Sequence, residues 1–264
     1  MSMTGNPQNM LIGINSGIPY GEFLLRLLPV SIIGMFVIIA FVHLFYRKKY
    51  LLANMAVEKY AGNGNEFSEY NFASMRNSVI VFSGVLILFF FSHIIKIGIP
   101  VIALLGASFI LLFGTIKPCL VIKQVDWVLL LFFASLFIVV HGVESTGIMQ
   151  KIISGVPVGE NANSLIAVHG ISLLLSQIIS NVPFTVVMLP LMKTAHSEIL
   201  WLSLASASTL AGNATIIGAM ANLIVIESAE KRGVVIRFFE FLKIGGVVTL
   251  ISLLISFVVL YLYL

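Results

Sequence analysis

Long apolar runs separated by short polar breaks dominate the chain. Uninterrupted runs occur at Phe23 to Tyr46, Ser78 to Ile99, Val101 to Ile116, Val125 to His141 and Phe238 to Leu264. Crossing a hydrocarbon core takes about 20 residues of helix, so these runs predict membrane-spanning helices. Two further regions, Asn163 to Met192 and Ile199 to Ile226, are as apolar but carry Asn, Pro, Gly and Thr in the middle. The only long polar stretch is 47 to 76, RKKYLLANMAVEKYAGNGNEFSEYNFASMR, with the turn-prone Gly62-Asn63-Gly64-Asn65. It reads as a linker with a short amphipathic helix near Leu51 to Tyr60.

Composition sharpens this picture into a class. Apolar residues make up 59% of the chain, charged residues 10%, and mean hydropathy is +1.08. Such values belong to a chain whose solvent is lipid, so the fold class is an all-α integral membrane protein in contact with the bilayer. The single cysteine, Cys119, can form no internal disulfide and reads as a small apolar filler near a membrane face.

The net charge of +4 is explained by orientation. With the end of the first full span in the cytoplasm, alternation places Arg47, Lys48, Lys49, Lys59, Arg76, Lys117, Lys123, Lys231, Arg232, Arg237 and Lys243 on the cytoplasmic side. Only Arg26, Lys96, Lys151 and Lys193 fall opposite. This bias predicts a multi-pass protein of the cell membrane with a cytoplasmic linker and the C-terminus outside. Nothing in the pattern supports nucleic acid as a partner.

The chain also resembles itself. When GNPQNMLI (5 to 12) is set over GAMANLIV (218 to 225), Gly5 meets Gly218 and Asn9 meets Asn222. Downstream, Glu22-Phe23-Leu24 meets Glu240-Phe241-Leu242, and each leads into a long apolar span. Positive-inside counting gives the two copies opposite orientations, which is the pattern of inverted-repeat secondary transporters.

Helices are interrupted inside a bilayer only where protein or water surrounds the gap. In LSQIISNVPFTVVMLPLM, 175 to 192, Pro183 disfavours helical backbone at Val182 and suits the first turn of a new helix. The expectation is a re-entrant hairpin within about 145 to 194, entering along Asn163 to Ile179, with Ser180 and Asn181 at its tip. The second break, LAGNATIIGAMANLIV (210 to 225), carries Asn213, Thr215, Gly218 and Asn222, and lies within a broken helix of about 198 to 226. An unwound segment there offers carbonyl oxygens to a small cation, while the helix N-termini at tip and break face an anion or polar solute.

Packing alone explains any one Gly, Ser or Asn in a membrane helix. Ser180 and Asn181 together with Asn213, Thr215 and Asn222, on adjacent broken elements, predict a binding site. Ionisable residues in such surroundings are few. A neighbouring carbonyl satisfies His93 and His169 more readily than a proton relay employs them. Asp126 beside Trp127 reads as an N-cap next to an interfacial anchor, and Glu144 is the best candidate for a proton-linked carboxylate. No metal site is predicted.

VDWVLLLFFASLFIVVHGVESTG (125 to 147), SQIISNVPFTVVMLPLM (176 to 192), GNATIIGAMANLIV (212 to 225) and GNPQNMLIG (5 to 13) together resemble the ion transporter superfamily. The likeness is to its arsenite-efflux permease, sodium/proton antiporter and citrate-transporter-like branch, and covers nearly all of the chain apart from the linker. The resemblance implies inverted repeats, each with a re-entrant hairpin and a broken helix, and a solute site where tips and breaks meet. By that pattern Ser180 and Asn181 form the second hairpin tip, Asn213, Thr215, Gly218 and Asn222 the second break, and Gly5, Asn6 and Asn9 the first. It also implies a C-terminal portion of a family member, with residues 1 to 46 the remnant of a truncated first repeat and 77 to 264 the second. An N-terminal half polypeptide or a homo-oligomer is then a candidate partner.

These readings converge on secondary transport of a small inorganic ion or oxyanion by movement of the hairpin-containing unit, coupled to H+ or Na+ and without an organic cofactor. Neither a nucleotide-binding GxxxxGK[ST] loop nor an HExxH or GxSxG enzyme motif occurs, so no enzymatic activity is expected. Sodium/proton exchange and a non-transporting membrane subunit remain the alternatives. The absence of carboxylates in the broken helices favours a neutral or anionic solute over sodium/proton exchange.

Overall fold

The computed structural model describes residues 1–57, 72–114, 117–125, 127–147, 155, 157, 159–230 and 233–264; the side chains of 48–57, 72–75, 129, 132, 133, 136, 140, 143 and 144 lie outside this description. Eleven helices and no strand occur among the described residues. They are α1 (Pro7–Ser16), α2 (Tyr20–Val57), α3 (Phe72–Ile95), α4 (Ile99–Phe113), α5 (Pro118–Lys123) and α6 (Trp127–Ser145). The remainder are α7 (Ala162–Ile179), α8 (Asn181–Ala195), α9 (Glu198–Ala211), α10 (Met220–Glu230) and α11 (Phe238–Tyr261). Among the described residues, four segments are long and apolar enough to cross a bilayer, namely Tyr20–Arg47, Arg76–Ile95, Ala162–Ile179 and Phe238–Tyr261. The protein is an all-α, multi-pass membrane protein.

Two differences from the sequence reading have local causes. Helix α2 continues to Val57, so Leu51 to Val57 prolong the first long helix rather than beginning a separate one; Glu58 to Tyr60 lie outside the described residues. Helix α4 has 15 residues and spans about 22 Å, less than the apolar run suggested. It begins after Gly98, with Pro100 in its first turn, and ends at Gly114, whose extended backbone turns the chain away.

The chain divides into two compact units. One, residues 38–127, contains the helical hairpin of α3 and α4, where Gly106 leaves room for Val85. Its outward residues are apolar, including Leu104, Leu112, Ile80 and Ile94, as expected where the solvent is lipid. Cys119 on α5 is exposed.

The other unit comprises residues 1–37 and 128–264. Its centre is α9, in which every residue except Glu198 and Thr209 is buried. A helix apolar or small all round must be enclosed by others, and α7, α11, α8 and α1 pack around it. Helix α7 turns Leu165, Val168, His169, Ser172 and Ser176 inward, and α11 turns in Val248, Thr249, Ser252, Leu253, Ser256 and Leu260. Leu250, Leu254 and Val258 on the opposite side of α11 are exposed, so the helix separates a polar-dotted inner face from an apolar outer one. At one end of the bundle Arg26 on α2 pairs with Glu22 and, at 3.3 Å, with Glu198 at the start of α9.

Candidate functional site

The two interrupted regions meet at the C-terminal end of α9. Helix α7 stops at Ile179, Ser180 adopts φ 65° and ψ 161°, and α8 starts at Asn181. This backbone is one that almost only glycine adopts freely, so the chain reverses between α7 and α8 at a strained serine. Helix α9 ends at Ala211, and residues 212–219 run as turns before α10 begins at Met220.

Hydrogen bonds join tip and break. The Asn181 N–H donates to the Gly218 carbonyl at 3.2 Å. Gln177, one turn before the tip, donates through Nε2 to the Ala211 carbonyl at 2.8 Å and to Leu173 at 3.0 Å. Its Oε1 accepts from the Thr215 hydroxyl at 2.8 Å, and Thr215 Oγ1 in turn accepts from the Gly218 N–H at 3.1 Å. Asn222 donates through Nδ2 to the Gly212 carbonyl at 2.8 Å and the Thr215 carbonyl at 3.0 Å. Gly218 has no room for a side chain, because a Cβ there would lie 2.7 Å from Gln177 Oε1 and 2.8 Å from the Gly212 oxygen. Gly212 is similarly confined, with Asn181 Nδ2 3.2 Å from where its Cβ would be.

The N-terminal motif meets the same helix one turn earlier. Asn6 caps α1, accepting from the Asn9 N–H at 2.8 Å, and its Nδ2 lies 3.3 Å from Thr209 Oγ1. Gln8 donates to that hydroxyl at 3.0 Å, and Asn9 Oδ1 lies 3.3 Å from it. Thr209 thus gathers three amide side chains of α1 while its own proton is shared with the Ala205 carbonyl at 2.8 Å.

The two motifs also match in detail under one shift of 213 positions. Asn9 Nδ2 donates to the Ser2 carbonyl at 3.2 Å, as Asn222 does to Thr215, and the Gly5 N–H donates to Ser2 at 3.2 Å, as Gly218 does to Thr215 at 3.2 Å.

Of the residues singled out by sequence, Ser180, Asn181, Thr215, Gly218 and Asn222 are brought together. Asn6 and Asn9 gather on the adjoining turn of α9, while Gly5 bonds locally to Ser2. Asn213 enters this hydrogen-bond network through its backbone, its N–H donating to Leu210 at 3.1 Å. Glu144 lies in the last turn of α6 and its side chain is outside the described residues, as are Asp126 and Lys151. Gln177, Gln8 and Thr209 were missed, although a lone amide one turn before a predicted tip is a readable signal.

The electrostatics follow from the helix ends. The first N–H groups of a helix lack internal partners and its N-terminus carries partial positive charge. The N-termini of α1, α8 and α10 all lie at this junction. Four of the carbonyls at the break each accept from a side chain of the protein: Leu210 from Thr249 at 3.4 Å, Ala211 from Gln177, and Gly212 and Thr215 from Asn222.

Residues 1–205 match the family described as "Citrate transporter". A "46 kDa membrane protein" of Mycobacterium leprae is 28% identical over 273 residues, covering 99% of this chain and 63% of that protein. An "Uncharacterized transporter" of Synechocystis is 25% identical over 97% of the chain and 63% of its own length. The "P protein" of Mus musculus is 33% identical over 168 residues, 57% of the chain and 20% of that protein. The chain thus spans less than two thirds of the relatives it matches along its length. No solved structure matches it.

Proposed function

The chain belongs to the citrate transporter family, and we propose that it serves secondary transport of a small oxyanion or neutral oxyacid across the cell membrane, bound where tip and break meet at the C-terminal end of α9. The observation that carries this reading is the convergence of three helix N-termini, whose first N–H groups lack internal partners, with the amides of Asn6, Gln8 and Asn9, each of which gives one N–H to an internal acceptor and keeps a second. Such a junction presents donors and positive helix ends, the complement of an oxyanion. Arsenite-like and carboxylate solutes fit this chemistry better than a bare cation, since residues 199 to 226 contain no carboxylate to balance a cation's charge. Coupling to H+ or Na+ completes the cycle, with Glu144 a candidate carboxylate.

The test uses the full-length protein in vesicles, with labelled citrate, arsenite and phosphate offered separately. Uptake or efflux of at least one is expected, falling about tenfold or more in Asn181→Ala and Asn222→Ala at normal membrane insertion. Unchanged flux in both variants would overturn the site.

A further inference from the structure

Three packed helices enclose an imidazole among hydroxyls. His169 on α7 is 7% exposed, and Phe257 meets its ring edge-on with centroids 6.1 Å apart. Nδ1 lies 2.9 Å from the Leu165 carbonyl and 3.2 Å from Ser203 Oγ, while Nε2 lies 3.0 Å from Ser256 Oγ. A carbonyl can only accept, so Nδ1 carries a hydrogen, and in the neutral ring Nε2 accepts from the Ser256 hydroxyl. As placed in the structure, Ser256 Oγ donates to Ser206 Oγ at 2.7 Å and Ser206 to the Ser203 carbonyl at 3.2 Å, the arrangement that leaves Ser256 able to accept from Nε2.

This arrangement can reverse. When a proton is added at Nε2, the ring donates to Ser256 Oγ and the Ser256 proton turns to Ser206 Oγ. Ser206, which in the neutral state donates to Ser256 Oγ, turns its own proton to the Ser203 carbonyl; the Nδ1 bond to Leu165 is unchanged, and the extra proton resides on the ring. Both protonation states are therefore fully hydrogen-bonded at the imidazole.

Two more hydroxyls extend from this cluster. Ser172 and Ser176 are fully buried, and neither oxygen has a hydrogen-bond partner. The other hydroxyls nearby bond back to their own helices, as Ser252 does to Thr249 at 3.1 Å and Ser208 to Ala205 at 3.5 Å. Helices α7 and α9 run parallel with a constant offset of 34, set by His169 with Ser203 and Gln177 with Ala211. Ser172 and Ser176 share the face of His169, so they occupy the steps between the imidazole and Gln177 at the junction. Buried hydroxyls of this kind call for a small ligand that both donates and accepts.

We infer that His169 is the proton-binding site of the transport cycle, with Ser172 and Ser176 carrying its proton by way of bound water toward Gln177. The inference rests on the transport reading and deepens it by naming the coupling ion. On the helices packed against α7, the charged or titratable groups are Lys193 of α8, Glu198 of α9, and Glu240, Lys243 and Tyr261 of α11. Glu198 is engaged by Arg26, Glu240 and Lys243 lie three or more turns along α11 from Ser256, and Tyr261 reaches the ring only through Phe257, on which it stacks. The ring's hydrogen-bonding neighbours are thus uncharged oxygens, to which a hydroxyl can turn either way.

Nitrogen NMR of the histidine side chains in the full-length protein in lipid reads the site directly, with the His169 signals identified by their loss in His169→Gln. A change from one neutral tautomer to imidazolium on acidification from about pH 8 to about pH 3 is expected. In vesicles carrying a pH-sensitive dye, proton movement on addition of a transported solute should fall about tenfold or more in His169→Gln. Ser256→Ala, which removes the reversible partner, should shift the NMR transition to lower pH. An imidazole that stays neutral throughout, or undiminished solute-linked proton movement in His169→Gln, would overturn the inference. Solute flux without proton movement would overturn it while leaving the transport reading intact, whereas titration of His169 without any flux would count against transport alone.

Discussion

Ser180 carries a backbone conformation that costs a non-glycine residue about 1–3 kcal/mol, and it does so at the point where α7 gives way to α8. A strained serine where glycine would be easier means that the hydroxyl, or the strain, has a use. The two can be separated. Ser180→Gly relieves the strain and removes the hydroxyl, whereas Ser180→Ala keeps the strain and removes only the hydroxyl. Thermal unfolding in detergent should place Ser180→Gly above the parent by about 1 kcal/mol or more, with Ser180→Ala at or below it. Solute binding should weaken in both if the hydroxyl contacts solute. Equal stability of the two variants would show that the Ser180 backbone is not held in this conformation.

At the scale of elements, the break after α9 is held against α11 by one close approach. A Cβ on Gly245 would fall on the Asn213 carbonyl oxygen and within 3.1 Å of that of Ala214, whereas one on Gly246 meets only Leu242 Cδ1 at 3.9 Å. Alanine is the better helix former by about 1 kcal/mol, so Gly246→Ala should be neutral or stabilising. Gly245→Ala must push backbone against backbone and should destabilise by about 1–3 kcal/mol. Thermal unfolding of this matched pair decides whether the break packs on α11 as described. Helix-by-helix, the chain was readable where one residue type dominates a step: Gly98, Pro100 and Gly114 bound α4, and Ser180 with Pro183 marks the reversal into α8. The partners were not readable. Nothing local in Thr209 says that Asn6, Gln8 and Asn9, about 200 residues away, will gather on it, and nothing in Ser256 says that it will meet His169. Those pairings depend on the parallel register of α7 and α9 and on which face α11 turns inward, and only the packed structure sets them. Sequence reasoning also assigned freed carbonyls to a cation because it saw the break without seeing the amides of Gln177 and Asn222 that donate to three of them.

For the whole molecule, the shared bonding of Asn9 with Ser2 and Asn222 with Thr215 raises the matter of orientation, because two like motifs form one solute site most simply when they approach it from opposite faces of the bilayer. The positive-inside count predicts that opposition, with the 47 to 76 stretch in the cytoplasm, and the count can be tested without adding any label site. Cys119, exposed at the start of α5, is the only cysteine of the chain and lies between Lys117 and Lys123, which the same count assigns to the cytoplasm. A membrane-impermeant maleimide should modify Cys119 in inside-out vesicles and leave it unmodified in intact cells, with Cys119→Ser as the blank. Labelling from outside would, with strict alternation, reverse every element of the chain, those before α3 included. The two motifs would keep opposite orientations relative to each other, but positive charge would then lie on the outer face against the usual bias. Labelling from neither side despite the exposure of the thiol would place α5 within the hydrocarbon. That outcome would make the short α4 part of a re-entrant path rather than a crossing, and the number of spans between the two motifs would then decide whether they oppose each other at all.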